Sequence, residues 1–329
     1  MNYYIDRSLY AIRKICIAIT RKKNFFIKVN PNAINGQEAS DLIYDVLSKD
    51  KPCMICRFGS VELSTALTYL TIHDKSKKYC SKIFDFLSGK TDPPFWSSYV
   101  KRSLCNNAGF FSLDKVLSEQ HLEKFSELYL DCMQNVDILG SWLCYEEQVK
   151  ERMLNAKYVP LELLEPYNNS LPWSRILKGK KVLVIHPFSD TIKQQYKNRE
   201  KLFKNQDVLP DFHLETIKAV QSIAGNIPEE YSNWFEALDG MKKQISQKDF
   251  DIALVGCGAY GFPLAAYVKD IGKKSVHFGG ALQILFGIKG RRWEVEYDYD
   301  KIFYNDFWVY PAATDKPQNY KNIENGCYW

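Results

Sequence analysis

The chain reads as an α/β protein built on parallel strands, and three stretches carry that reading. Ile252–Val255 is a short apolar run that empties into Gly256-Cys257-Gly258-Ala259-Tyr260-Gly261, and an apolar helical pattern follows as far as Ile271. Ser275–Phe278 repeats the move, with Gly279-Gly280 as its turn and Ala281–Ile288 as its helix. Lys181–His186 (KVLVIH) is a third strand, ending in His186-Pro187-Phe188 before another helical stretch. Strands that alternate with helices need crossover connections, so they run parallel and release their strand-to-helix turns at one carboxyl edge. The expected architecture is Rossmann-like parallel sheets with helices on both faces, in two halves that form a cleft. Residues 1–30 are a lead-in, 31–175 the N-terminal half and 176–329 the C-terminal half, with the boundary near Trp173–Gly179.

In order, Ile5, Leu9, Ile12, Cys16 and Ile19 recur at helical spacing among Arg7, Arg13, Lys14, Arg21, Lys22, Lys23 and Lys28, with Asp6 the only acid. A basic amphipathic helix of this kind either packs on the body of the protein or lies on an anionic membrane, so residues 1–28 are a candidate peripheral membrane contact. Gln37–Leu47 is a helix stopped by Lys51-Pro52, Cys53–Phe58 a buried strand, and Val61–Leu70 a helix with Ser60 as its N-cap. Lys75–Lys90 is helical until Thr91-Asp92-Pro93-Pro94 breaks it. Asn106 to Phe111 reads as a turn whose paired amides, Asn106 and Asn107, are candidate holders of ligand hydroxyls. Gln120–Cys132 is a helix, Val136–Trp142 a strand and Leu161–Leu171 a connector. Beyond the KVLVIH strand come a helix over Thr191–Phe203, a strand over Phe212–Ala219 and a helix over Tyr231–Ser246. The aromatic tail from Arg291 is expected to seal the C-terminal half by packing.

Composition narrows the function classes. Apolar residues are 46% and charged ones 25%, ordinary for a globular protein, and a net charge of +5 makes no case for nucleic acid. The chain shows no signal peptide and no apolar run long enough to span a bilayer, so the nine cysteines read as reduced thiols of a cytoplasmic protein. Cys53-x-x-Cys56 lies inside a strand, where a redox pair is out of place, and no His pair completes a zinc site.

The chemistry concentrates at turns. Gly256-x-Gly258-x-x-Gly261 has the strand before it and the helix after it that a dinucleotide fingerprint needs. An acid after the next strand, which would hold a ribose hydroxyl, is missing, so the turn points to phosphates more than to a redox ring; tight helix–strand packing is the alternative. Gly256, Gly258, Tyr260 and Gly261, with Gly279 and Gly280, are therefore candidate substrate-binding residues. His186, at a strand end, is a candidate phosphate contact or catalytic base against simple turn capping, while His277 reads as a core histidine. In the first half the turn Arg57-Phe58-Gly59-Ser60-Val61-Glu62 places a cation, a glycine and a carboxylate together; Glu62 either acts on a ligand or complements the helix dipole with Arg57 as its partner.

That turn resembles the R-F-G-D-x-E-type turn of GT-D-fold glycosyltransferases from bacterial surface-polysaccharide and adhesin-glycosylation pathways. The stretches HPF, GCGAYGFPLAAYVK, FGGALQILFGIKGRRW and NGCYW also resemble proteins of bacterial polysaccharide gene clusters. The resemblance implies a GT-D-like cleft and a nucleotide-sugar donor held at Arg57, Gly59, Ser60 and Glu62. It implies Mg²⁺ or Mn²⁺ on Glu62, and a capsule- or O-antigen-type glycan or lipid-linked acceptor at the inner face of the membrane. Ser60 stands where the family has aspartate, leaving one carboxylate for the metal. The alternatives are a Rossmann-type NAD(P)- or S-adenosylmethionine-dependent enzyme and a non-catalytic nucleotide- or glycan-binding partner of a polysaccharide assembly complex.

Overall fold

The computed structural model describes residues 3–19, 28–114, 117–317, 319–322 and 326–329. Seven strands form the sheet: β1 Cys53–Cys56, β2 Val136–Ser141, β3 Lys157–Pro160, β4 Lys181–His186, β5 His213–Lys218, β6 Ile252–Val255 and β7 Lys274–His277. Their order is β3-β2-β1-β7-β6-β4-β5, and every pairing is parallel. The strands of both halves join where β1 pairs with β7, Cys53 opposite Lys274, so there is one continuous sheet rather than one for each half.

The pleat divides the core. Met54, Cys56, Leu183, Ile185, Ala253 and Val255 point to one face, under the helices Ser60–His73, Ser98–Ala108, Glu119–Cys132, Trp234–Ser246 and Gly261–Asp270. Cys53, Ile55, Val182, Val184, Ile252 and Leu254 point to the other, under Gly36–Ser48, Ser189–Tyr196, Leu282–Leu285 and the C-terminal segment. Cys53 and Cys56 thus lie on opposite faces of β1, and burial pushes both thiols up, Cys53 to about 12. They cannot meet as a redox pair.

The connections explain where a cleft opens. From β1 and β6 the chain turns to helices on the first face, and from β7 and β4 to helices on the second. These four strands are neighbours, so adjacent turns part to opposite sides and leave a crevice at the carboxyl edge.

Several boundaries differ from expectation. Ser60 is the first residue of its helix and Gly59 the N-cap, with no side-chain cap. The Glu62 carboxylate folds back over the helix start, where a Cβ on Gly59 would lie 1.9 Å from Oε2, and so fills the place of a capping side chain. The helix before Gly109 runs through Ala108, so Asn106 and Asn107 sit in its last turn, and Gly109 closes it at φ 85°. The segment after Lys75 is helical only over Tyr79–Leu87. Thr191–Phe203 splits into Ser189–Tyr196 and Arg199–Leu202.

The lead-in is helical over Tyr3–Ile19. It packs through Asp6, Tyr10 and Arg13 rather than through the apolar stripe. Asp6 Oδ2 accepts from Ser98 N and Oγ, both at 2.6 Å, at the start of the Ser98–Ala108 helix. Tyr10 packs edge-on against Phe86, and Arg13 lies over the same ring while donating to the carbonyls of Phe86 and Thr91. The basic stretch 20–27 lies outside the described residues. Among the described residues no helix is long and apolar enough to cross a membrane.

Candidate functional site

A cleft of about 980 Å³ opens at the carboxyl edge and is reached by the ends of all seven strands: Arg57, Ser141, Pro160, His186, Val220, Gly256 and His277. This is the size class of small-molecule and cofactor sites.

Arg57 stands in it as a cation at the end of β1. Its Nε donates to the Phe58 carbonyl at 3.0 Å, and its guanidinium lies 4.6 Å over the Trp142 ring. Trp142 is held in turn by Nε1–H donating to the same carbonyl, at 3.0 Å. Among the described residues no carboxylate pairs with Arg57. Gly279, at φ 65°, faces it: a Cβ there would lie 3.5 Å from Nη1. Glu62, Glu146 and Glu165 surround Arg57 at longer range; burial raises the pKa of each, and the charge of Arg57 opposes that rise.

The three carboxyls have different work. Glu146 is satisfied internally, accepting from Ser141 Oγ at 2.5 Å and from the N–H groups of Trp142 and Leu143 at 3.0 Å each. Glu62 is buried over the Gly59 turn, and burial raises its pKa. Glu165, at the end of the β3 connection, accepts from Tyr167 Oη at 2.8 Å, Asn168 Nδ2 at 3.3 Å and Tyr299 Oη at 3.4 Å. Burial pushes its carboxyl up to about 7, against the pull of these bonds and of Arg57.

His186 and His277 are neutral donors or acceptors rather than charges. His186 Nδ1 accepts from Phe188 N–H at 3.0 Å, which leaves Nε2 to carry the proton as a donor. His277 Nδ1 bonds the Val255 carbonyl at 3.2 Å, as expected of a core histidine, yet its ring also reaches the cleft. Burial lowers both to about 3.

The glycine turns allow close packing at the wall of the cleft. A Cβ on Gly256 would lie 2.5 Å from the Gly279 carbonyl oxygen, one on Gly261 2.2 Å from His277 Cε1, and one on Gly280 2.2 Å from Tyr328 Cε1. Gly258, at φ 55°, opens a short 3₁₀ turn before the Gly261–Asp270 helix, and the first N–H groups of such a turn have no acceptor within it. Tyr260 is spent on structure: it stacks on Trp234 at 5.0 Å and its hydroxyl meets Ser222 Oγ at 3.0 Å.

Of the predicted residues the cleft brings together Arg57, Gly59, Ser60, Glu62, Asn107, His186, Gly256, Gly258, Tyr260, Gly279 and Gly280. Asn106 is exposed away from the lining, and Gly261 sits behind His277. Glu165, Trp142 and Arg292 are lining residues that sequence reasoning missed, and Tyr297, Tyr299 and Tyr328 bring part of the aromatic tail into the wall. Arg292 lies 5.0 Å over the Tyr328 ring. Among the described residues no group of three or more His, Cys, Asp or Glu side chains is placed to hold a metal. Glu62 has Arg57, not a second carboxylate, as its charged neighbour, so these donors do not fit a protein-held Mg²⁺ or Mn²⁺.

No family model, no curated protein and no solved structure matches the chain.

Proposed function

We propose that the protein is a glycosyltransferase that takes a sugar from a nucleotide-diphosphate donor and passes it to a hydroxyl of a glycan or lipid-linked acceptor. The observation that carries this reading is Arg57: a guanidinium with no carboxylate paired to it among the described residues, fixed on Trp142 in a nucleotide-sized cleft, facing a glycine turn. Such a site suits a diphosphate. The bond from the anomeric carbon to the diphosphate breaks and its electron pair leaves with the diphosphate, whose growing charge meets Arg57 and the N–H groups of the Gly258 turn. The acceptor oxygen forms the new bond to that carbon, and its proton passes to Glu165, whose pKa of about 7 suits a base at neutral pH. His186 Nε2–H donates to a phosphate or sugar oxygen. The tyrosines 297, 299 and 328 offer ring faces and hydroxyls to the sugar.

Thermal-shift screening against UDP- and GDP-sugars, NAD(P)H and S-adenosylmethionine tests the reading. Stabilisation by a nucleotide sugar is expected, and stabilisation by a nicotinamide or methyl donor alone would sink it. Donor binding without transfer or donor hydrolysis would turn the reading to a binding module.

A further inference from the structure

The wall of the cleft is divided by charge. Among the described residues its charged side chains are Arg57, Glu62, Glu162, Glu165, Arg292 and Glu296. All six come from the segments after β1 and β3 or from the helix Arg291–Tyr297. The turns after β4, β5 and β6 bring no charge, since His186 is neutral and the others are apolar, glycine or uncharged polar residues. β3 and β5 are the two edge strands, so the charged and uncharged ends face each other across the sheet.

Close contacts trace a line between them. A Cβ on Gly279 would lie 3.5 Å from Arg57 Nη1, and one on Gly256 3.0 Å from His186 Cδ2. One on Gly258 would lie 3.1 Å from the Ala108 carbonyl oxygen, and one on Gly109 3.0 Å from Ile223 Cγ2. A ligand laid along this line passes from the Arg57 cation over the glycine turns to Val220, Gln221 and Ile223. Val220 and Ile223 are half-buried and give this end its apolar surface. Ser222 Oγ, donating to the Gly109 carbonyl at 2.5 Å, fixes the segment that carries them. The half-exposed Gln221 amide has no hydrogen-bond partner among the described residues.

We propose that a nucleotide-sugar donor lies along this edge in one direction, with its base at the uncharged end against the Gln221 amide and its sugar at the opposite end beside Glu165. This orientation rests on the sugar-transfer reading and adds to it a direction and a residue that contacts the base. A nucleobase is planar and uncharged. Its face loses water against Val220 and Ile223, and a glutamine amide offers its edge one donor group and one acceptor. The diphosphate then lies between, at Arg57 and the glycine turns. The reverse direction would set the base among carboxylates and carry the anomeric carbon away from Glu165.

Calorimetric titration tests the direction, using UDP, GDP, their sugar conjugates and inorganic pyrophosphate with the wild type and three variants. Ile223→Trp fills the base end and should weaken nucleoside diphosphates and sugar nucleotides alike, at least about tenfold. Gln221→Leu should weaken both by roughly 2- to 12-fold, the size of one neutral hydrogen bond. Glu162→Trp crowds the sugar end, so it should weaken the sugar nucleotide while leaving the nucleoside diphosphate unchanged. Pyrophosphate affinity and circular dichroism should stay at wild-type values in all three. The opposite pattern, with Glu162→Trp weakening the nucleoside diphosphate and the changes at Ile223 and Gln221 sparing it, would overturn the orientation and leave sugar transfer standing. A wild type that binds no nucleotide would overturn both.

Discussion

Glu165 shows how far a residue's chemistry depends on neighbours distant in sequence. In the chain it is one acid of a proline-containing connector, and nothing beside it marks a carboxyl of the cleft. Its environment comes partly from Tyr299, 134 positions away, and from Arg57 at the end of another strand. Arg57, by contrast, was legible from the start, because a cation, a glycine and a helix start at a strand end declare themselves locally. A carboxyl that holds its proton more tightly when folded makes stability fall as pH rises from its ordinary 4.5 through about 7. Glu165→Gln should therefore flatten the fall of the melting temperature over that window. It should also remove a turnover limb with apparent pKa near 7; a pH–rate profile unchanged in the variant would contradict the proton-acceptor role. Gly261→Ala is a different kind of residue-scale change. Its backbone is helical, at φ −60°, so the cost comes from a Cβ driven to 2.2 Å from His277, and an overpacking loss of about 1–3 kcal/mol is expected in chemical denaturation.

At the level of elements, what was legible followed from local pattern. The KVLVIH run matched β4 residue for residue, because an apolar, β-branched run bounded by turn residues leaves one outcome. β3 escaped notice because Lys157–Pro160 is four residues long and ends in a proline, which suits the edge position it occupies. The N-terminal helix was foreseen but not its orientation. Its apolar spacing named the stripe, while the packing contacts came from Asp6, Tyr10 and Arg13, whose partners are more than 70 positions away. Asp6 adds an anion to the start of the Ser98–Ala108 helix, beside Ser97, which caps it through Val100 N–H at 3.0 Å. Asp6→Ala should lower stability by about 1–2 kcal/mol, through the lost interaction with that helix start. Limited proteolysis should then cleave the lead-in more readily than in wild type, and an unchanged digestion rate would show that Asp6 does not hold the helix.

Across the whole molecule, the two halves are one sheet, and that is what assembles the cleft. The Arg57 turn and the Gly279 turn come from opposite halves of the chain, yet they meet because β1 and β7 are paired neighbours. The alternation of strands and helices was enough to expect a shared carboxyl edge, but the order of the strands along it is set by long-range pairing that no local pattern carries. The most direct test of the account is calorimetric titration of UDP- and GDP-sugars into the wild type and into Arg57→Ala. A charge-assisted contact to a phosphate contributes about 1.5–3 kcal/mol, so affinity should fall by roughly 10- to 150-fold in the variant while the fold persists. Equal affinity in the two proteins, or binding of a nicotinamide dinucleotide in place of either sugar nucleotide, would contradict it.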